Sequence, residues 1–249
     1  MIEKISDTKT ITSENERSEQ EPRSEIEVSK REYGDINYTE YLNHPSFSEA
    51  VDFIKEVEPF KPSLSAEERG NGNFVLVDID GTLIPSIRLV RKPKPIDTKT
   101  SFSFTELVNM FGGSVAIATN RNEGTTLFPN SSAVVQEARN LIKKTRKKDI
   151  PIYTGLFKQM PLQSKENVAK EFGESKVMLP KIDSLIHHIG KRISESNNEK
   201  ITLYSIEDKS FVSPNREDCL VYIAKRLKEE YDIEVTDIIN LVINKRKSV

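Results

Sequence analysis

The stretch FVLVDIDGTLIPS, residues 74–86, contains an apolar, β-branched run that ends in two aspartates one residue apart. Asp78 and Asp80 are followed at once by Gly81 and Thr82, and glycine in such a position favours a turn. Carboxylates placed so close together repel each other, so a positive partner is expected beside them. The stretch therefore predicts a strand that delivers two acidic side chains to its carboxyl end.

After residue 73, short apolar runs alternate with segments of helical periodicity. Near-continuous apolar strands separated by helices are typical of a parallel sheet covered on both faces. We predict an α/β fold of the open, Rossmann-like kind, with a mostly parallel sheet and helices on both faces. The segment 235–247 fits either a helix or a last strand, and the sequence leaves that choice open.

Composition divides the chain into three parts. Residues 1–36 are mostly Glu, Ser, Thr, Lys and Arg, which predicts a disordered polar tail. Residues 37–73 are interpreted as a linker, in which the helical spacing of 45–60 predicts a helix that docks on the following domain. Residues 74–249 then form the main domain.

The charge balance narrows the classes of partner. The chain has 37 basic and 39 acidic residues, so its net charge does not indicate nucleic acid or a membrane surface. Cys219 is the only cysteine, which fits a reducing compartment. No run of about eighteen apolar residues occurs, so no membrane span is expected. These features favour a cytoplasmic protein.

Polar side chains follow three of the predicted strands, at the point where each strand ends. They are Asp78 and Asp80, then Thr119 and Asn120, then Glu207 and Asp208. In open α/β sheets, chemistry collects just beyond the carboxyl ends of the strands. Packed carboxylates need a cation that prefers oxygen ligands. The sequence therefore predicts a magnesium site at this edge of the sheet.

Three of these features together resemble a known family. VDIDGTL, residues 77–83, resembles the first motif of the haloacid dehalogenase-like hydrolases, an apolar strand followed by Asp-x-Asp-Gly-Thr. Thr119 resembles the second motif, and IED at 206–208 resembles the acidic fourth motif. The resemblance covers about residues 74–230 and implies a haloacid dehalogenase-like catalytic domain.

The resemblance implies a role for each residue. Asp78 would be the nucleophile that forms an aspartyl-phosphate, and Asp80 would be the general acid and base. Thr119 and the backbone amide of Asn120 would hold phosphoryl oxygens. The residues implied to bind Mg²⁺ are Asp78, Asp80, Asp208 and Glu207.

A lysine normally completes the charge balance in this family. Lys181 lies just before the predicted helix 182–193, which precedes the strand of the fourth motif, and suits this role. Lys158 and Lys165 follow the strand IPIYTG and are its competitors. The sequence does not decide among the three.

The residues between Asp80 and Thr119 are too few for a large cap domain. A short flap after the nucleophile instead carries Arg88 and Arg91, which we interpret as substrate-binding residues. An open site with a basic flap favours a large or extended phosphorylated substrate. We therefore predict a magnesium-dependent phosphatase, a hydrolase. The alternatives are a non-catalytic scaffold or binding module of the same fold, and a phosphotransferase of the same superfamily.

Overall fold

The computed structural model of the protein describes residues 8–10, 26–56, 72–84, 95–119, 129–145, 149–154, 181–196, 198–208 and 216–243. The strands within these residues are β1 Thr8–Thr10, β2 Glu27–Tyr33, β3 Ile36–His44, β4 Asn73–Val77, β5 Val115–Thr119, β6 Ile152–Thr154, β7 Lys200–Asp208 and β8 Glu234–Ile243. The helices are α1 Phe47–Ile54, α2 Thr98–Phe111, α3 Pro129–Lys144, α4 Lys181–Ser194 and α5 Arg216–Tyr231.

The strands form one open sheet in the order β1-β2-β3-β8-β7-β4-β5-β6. Strands β3 to β8 are all parallel. Among the described strands, β2 is the one that runs in the opposite direction, and it pairs in antiparallel fashion with β1 and β3. The predicted α/β fold with a mostly parallel, Rossmann-like sheet is therefore confirmed. From β4 the chain moves outward through β5 to β6 and then returns to β7 on the other side of β4. The switch point of the topology, where such sheets bind ligands, lies between β4 and β7.

Helices cover both faces of the sheet, as predicted. Val75 and Val77 of β4 point into a core with α1, α2 and α3, and we name this side the α1–α3 face. Phe74 and Leu76 point to the other side, against α4 and α5, which we name the α4–α5 face. All four side chains are buried, because a strand covered on both faces alternates its side chains between two cores.

The prediction for the N-terminal segment is wrong for residues 27–44. The predicted disordered tail 1–36 and linker 37–73 contain β2 and β3, which pair as a hairpin through the two-residue loop Gly34–Asp35. Gly34 has φ 65°, the conformation that a type II′ hairpin turn requires at its first position. β3 then pairs in parallel with β8, so the hairpin extends the main sheet. Backbone pairing to β8 orders a segment whose apolar content alone is low.

The predicted docking helix is confirmed as α1. Ser46 precedes it as the N-cap, and the Ser46 hydroxyl accepts a hydrogen bond of 3.3 Å from the backbone amide of Glu49. Phe47, Val51 and Ile54 lie on one side of the helix and are buried in the core of the α1–α3 face.

The segment 235–247, which fitted either a helix or a strand, forms β8 over Glu234–Ile243. β8 lies between β3 and β7, so it is an internal strand. The helical pattern of residues 164–173 predicts a helix and the short apolar run of 176–179 predicts a strand, and both segments lie outside the described residues. No helix in the described part of the chain is both long enough and apolar enough to cross a membrane.

His44, the last residue of β3, is buried. Its side chain is 1% exposed, and its Nε2 has no hydrogen-bond partner among the described residues. Its ring packs on Phe53 at 5.0 Å between centroids. Burial lowers the pKa of His44 from 6.5 to about 4, because the charged imidazolium loses its water.

We expect the free energy of unfolding to fall as the pH falls from 6.5 to about 4, because unfolded His44 takes up a proton that the folded chain excludes. The loss attributable to His44 is up to about 3 kcal/mol. Urea unfolding of wild type and His44→Leu at several pH values measures it. The free energy of unfolding of His44→Leu should depend less steeply on pH than that of the wild type. His187→Gln changes an exposed histidine and serves as the control, and its pH dependence should match the wild type. Equal pH dependence in the wild type and His44→Leu would contradict this expectation.

Candidate active site

The loop after β4 is anchored by the residue between its two aspartates. Ile79 is fully buried, whereas Asp78 and Asp80 on either side of it are partly exposed. Leu83 and Ile84 are also buried, and all three apolar side chains belong to the core of the α1–α3 face. The sequence Asp-Ile-Asp thus places one side chain in the core and two carboxylates at the sheet edge.

The backbone of this loop closes on itself. The carbonyl of Ile79 accepts hydrogen bonds from the amides of Leu83 at 3.0 Å and Ile84 at 2.9 Å. The amide of Gly81 donates to the carbonyl of Ile84 at 2.7 Å, and Gly81 has φ 70°. The position of Asp80 is therefore fixed by main-chain bonds on both sides of it.

The end of β7 lies directly beside this loop. The amide of Asp78 donates to the carbonyl of Ile206 at 2.9 Å, so the β4–β7 ladder continues to the first aspartate. A Cβ atom placed on Gly81 would lie 1.6 Å from Oδ2 of Asp208. The Asp208 carboxylate therefore lies against the backbone of Gly81, in space that a side chain at position 81 would occupy.

Thr119 ends the strand on the other side of β4. Val77 of β4 is in register with Ile117 of β5 and with Ile206 of β7. Thr119 and Asp208 each lie two residues beyond these partners, and neighbouring strands are about 4.8 Å apart. Asp78 thus lies between the strand ends that carry Thr119 and Asp208. Thr119 is buried at the end of β5.

The structure corrects the interpretation of Glu207 as a metal ligand. Ile206 belongs to the core of the α1–α3 face, so alternation along β7 directs Glu207 to the α4–α5 face and away from Asp208. Glu207 is 6% exposed, and its Oε1 accepts a hydrogen bond of 2.7 Å from Nδ2 of Asn240. Adjacent residues in a strand point to opposite faces of the sheet. The sequence analysis treated Glu207 and Asp208 as one acidic motif and did not apply this alternation.

Lys181 is the first residue of α4, and its backbone lies toward the same edge as Asp78. Farther along α4, the His188 ring contacts Phe74 near the start of β4, with 5.9 Å between ring centroids. Lys181 precedes His188 by about 10 Å of helix, and Asp78 follows Phe74 by about 13 Å of strand. Because α4 leads into the start of β7, it runs against the strands. The Lys181 side chain is outside what the structure describes.

Several predicted site residues lie outside the described residues. These are the predicted substrate-binding residues Asn120, Arg88 and Arg91, and the alternative lysines Lys158 and Lys165. Their roles stay predictions.

A buried polar residue of β8 was missed by the sequence analysis. Asn240 is 1% exposed and contacts Tyr38 and Glu40 of β3 as well as Glu207 of β7. The signal in the sequence was a single amide inside the apolar run IINLVI. A polar side chain at an internal strand position requires hydrogen-bond partners in the fold.

The donors at this edge are carboxylate and carbonyl oxygens. Among the described residues, no three His, Cys, Asp or Glu side chains come together as a group that could hold a metal ion.

A scan against protein-family models finds no match for the chain, and a search of curated proteins finds none either.

Gly81→Ala should destabilise the protein for two separate reasons, the positive φ and the overlap with Asp208. Gly34→Ala is the matched control, because Gly34 has φ 65° but no atom lies within 4 Å of the position that its Cβ would take. We expect Gly34→Ala to cost about 1 kcal/mol and Gly81→Ala clearly more.

Urea unfolding of both variants provides this comparison. Adding Asp208→Ala to Gly81→Ala should recover part of the excess loss, because the overlapping carboxylate is then absent. Equal losses for Gly81→Ala and Gly34→Ala would contradict the close approach of Asp208.

Proposed function

We propose that the protein is a magnesium-dependent phosphatase that acts through an aspartyl-phosphate on Asp78. The observation that carries the proposal is the position of Asp208 at the switch point, against the backbone of Gly81 in the loop that carries Asp78 and Asp80. The resemblance of VDIDGTL to the first motif of the haloacid dehalogenase-like hydrolases supports the same chemistry.

In the first step, a carboxylate oxygen of Asp78 attacks phosphorus, and the bond from phosphorus to the leaving oxygen breaks. Asp80 gives its proton to the leaving oxygen. In the second step, Asp80 takes a proton from water as that water attacks phosphorus. The bond between Asp78 and phosphorus then breaks, which releases inorganic phosphate and regenerates both carboxyl groups.

The oxygen donors of this edge fit Mg²⁺. The cation is usually bound by one or two carboxylates together with water, so a cluster of three acidic side chains is not required. The Asp78 and Asp208 carboxylates and the backbone carbonyl of Asp80 are the groups that would hold it. When bound, the cation would neutralise charge between the nucleophile and the phosphate.

Thr119 and Lys181 are the residues proposed to bind the phosphate, one on each side of Asp78. The Thr119 hydroxyl is assigned to a phosphoryl oxygen, because Thr119 ends the strand next to β4. Lys181 is assigned to the remaining phosphate charge, because α4 begins at the same edge of the sheet. Both are tested by the same hydrolysis assay as Asp78.

The described residues between Asp80 and Thr119 support an open site. Residues 98–111 of this segment form α2, which packs its buried side chains into the α1–α3 face. Helix α2 therefore lies over a face of the sheet and does not cover the edge. A large or extended phosphorylated substrate suits such a site better than a small one that a cap must enclose.

Asp78→Asn should reduce hydrolysis of an aryl phosphate by about a thousandfold or more, because the amide has the shape of the carboxylate but is a poor nucleophile. The melting temperature should change little. Initial rates and melting curves measure the two quantities, and Asp35→Asn in the exposed hairpin loop is the control. Full activity of Asp78→Asn would show that Asp78 is not the nucleophile, whereas a wild type without activity would favour the non-catalytic alternative.

Millimolar Mg²⁺ should raise the melting temperature of the wild type, since a ligand that binds only the folded state stabilises it. Asp208→Ala should reduce this rise, and Asp35→Ala should not. Thermal unfolding across a magnesium titration provides the measurement. A wild-type melting temperature that does not change with the Mg²⁺ concentration would count against the proposed site.

A further inference from the structure

Four polar residues form a buried cluster on the α4–α5 face, beside the end of β7. We name it the Asn240 cluster, and its members and exposed fractions are Tyr38 1%, Glu40 8%, Glu207 6% and Asn240 1%. The members come from three neighbouring strands, β3, β8 and β7. Polar side chains removed from water so completely require specific partners.

One amide group joins the three strands. Nδ2 of Asn240 lies 2.7 Å from Oε1 of Glu207, 3.1 Å from the hydroxyl of Tyr38 and 3.3 Å from Oε1 of Glu40. The shortest of these contacts is the one to Glu207. A hydrogen bond to a carboxylate is among the stronger kinds in proteins, and burial strengthens it further.

The β3 residues hold the amide from the other side. Burial, together with the nearby carboxylates Glu40 and Glu207, raises the pKa of Tyr38 well above its usual value, so its hydroxyl keeps its proton. Tyr38 and Glu40 thus fix the orientation in which Asn240 meets Glu207. The N-terminal hairpin therefore supports the strand that carries Asp208.

We propose that Asn240 is a positioning residue for Asp208 and acts through Glu207. This inference rests on the proposed function, in which Asp208 helps to hold Mg²⁺. Glu207 immediately precedes Asp208, and its short bond to Asn240 ties the end of β7 to β8. The Asp208 carboxylate lies directly over Gly81, so its position there depends on the position of the end of β7.

Loss of the Asn240 amide removes this tie. The Glu207 carboxylate then loses its hydrogen bond to Nδ2 of Asn240 at a buried position and gains by turning toward water. Such a turn rotates the last residue pair of β7 and moves the Asp208 oxygens relative to Asp78. Residues that orient metal ligands typically change metal affinity about 10–100-fold when removed.

The test is the affinity of the full chain for Mg²⁺ alone, measured by titration calorimetry. We expect Asn240→Ala and Glu207→Ala each to raise the Kd about tenfold or more. The double variant should be no weaker than the weaker single variant, because both act through one contact. Glu207→Ala carries the same test should Asn240→Ala fail to fold.

Two further variants separate positioning from a general loss of packing and from direct binding of the metal by Glu207. Val235 lies on the same strand and the same face as Asn240, but near the other end of β8. The variant Val235→Ala therefore controls for the loss of packing. It should lower the melting temperature and leave the Kd for Mg²⁺ near the wild-type value. Glu207→Gln keeps an acceptor for Nδ2 of Asn240, so its Kd should stay well below that of Glu207→Ala.

Hydrolysis of an aryl phosphate gives a second readout. In Asn240→Ala, the magnesium concentration for half-maximal activity should rise, while the KM for the aryl phosphate at saturating Mg²⁺ stays near wild type. A merely destabilised fold would lower the amount of active protein without moving the magnesium midpoint.

Three results would overturn the inference. An unchanged Kd in both Asn240→Ala and Glu207→Ala would show that the cluster does not position Asp208. A Kd in Glu207→Gln as weak as in Glu207→Ala would mean that Glu207 itself binds the metal. A wild type that binds no Mg²⁺ would overturn this inference and the proposed metal site together, whereas magnesium binding without hydrolysis would overturn the phosphatase alone.

Discussion

The carboxylate of Asp208 lies against the backbone of Gly81, in space where no side chain fits. This contact requires glycine twice, for its φ of 70° and for the missing Cβ. It brings together the carboxyl ends of β4 and β7 at the point where the strand order reverses. The candidate site depends on it, because it places the acid of β7 against the loop that carries the two acids following β4.

Acidic groups gathered in this way repel each other, and the fold must offset that repulsion. Two like charges about 4 Å apart near a protein surface cost about 4 kcal/mol. The loop is anchored by Ile79, Leu83 and Ile84, whose burial contributes roughly 5–9 kcal/mol. The burial of these three apolar side chains therefore opposes the repulsion between the carboxylates.

The sequence predicted the central sheet well, because periodicity and turn residues are local signals. It predicted β4, β5 and β7, and it placed Asp78 and Asp208 at one edge of the sheet, since parallel strands share one carboxyl edge. It missed the hairpin of β2 and β3, because the polar composition of these strands concealed the alternating pattern on either side of Gly34.

Long-range contacts explain the other failures. Asn240 hydrogen-bonds to Tyr38, which is 202 residues away in the sequence, and no local sequence pattern links the two. Glu207 was grouped with Asp208 because the two are adjacent in sequence, yet a strand directs neighbours to opposite faces. The roles of Asn120, Arg88 and Arg91 stay predictions, since these residues lie outside the described part of the chain.

The central claim is that Asp78 carries the phosphoryl group during turnover. Rapid acid quenching of the wild type with an aryl phosphate and Mg²⁺, followed by mass spectrometry of its peptides, tests this directly. We predict one phosphoryl group on the peptide that contains Asp78, and none in Asp78→Asn. A phosphoryl group on another residue, or rapid turnover with no phosphorylated peptide, would contradict the claim.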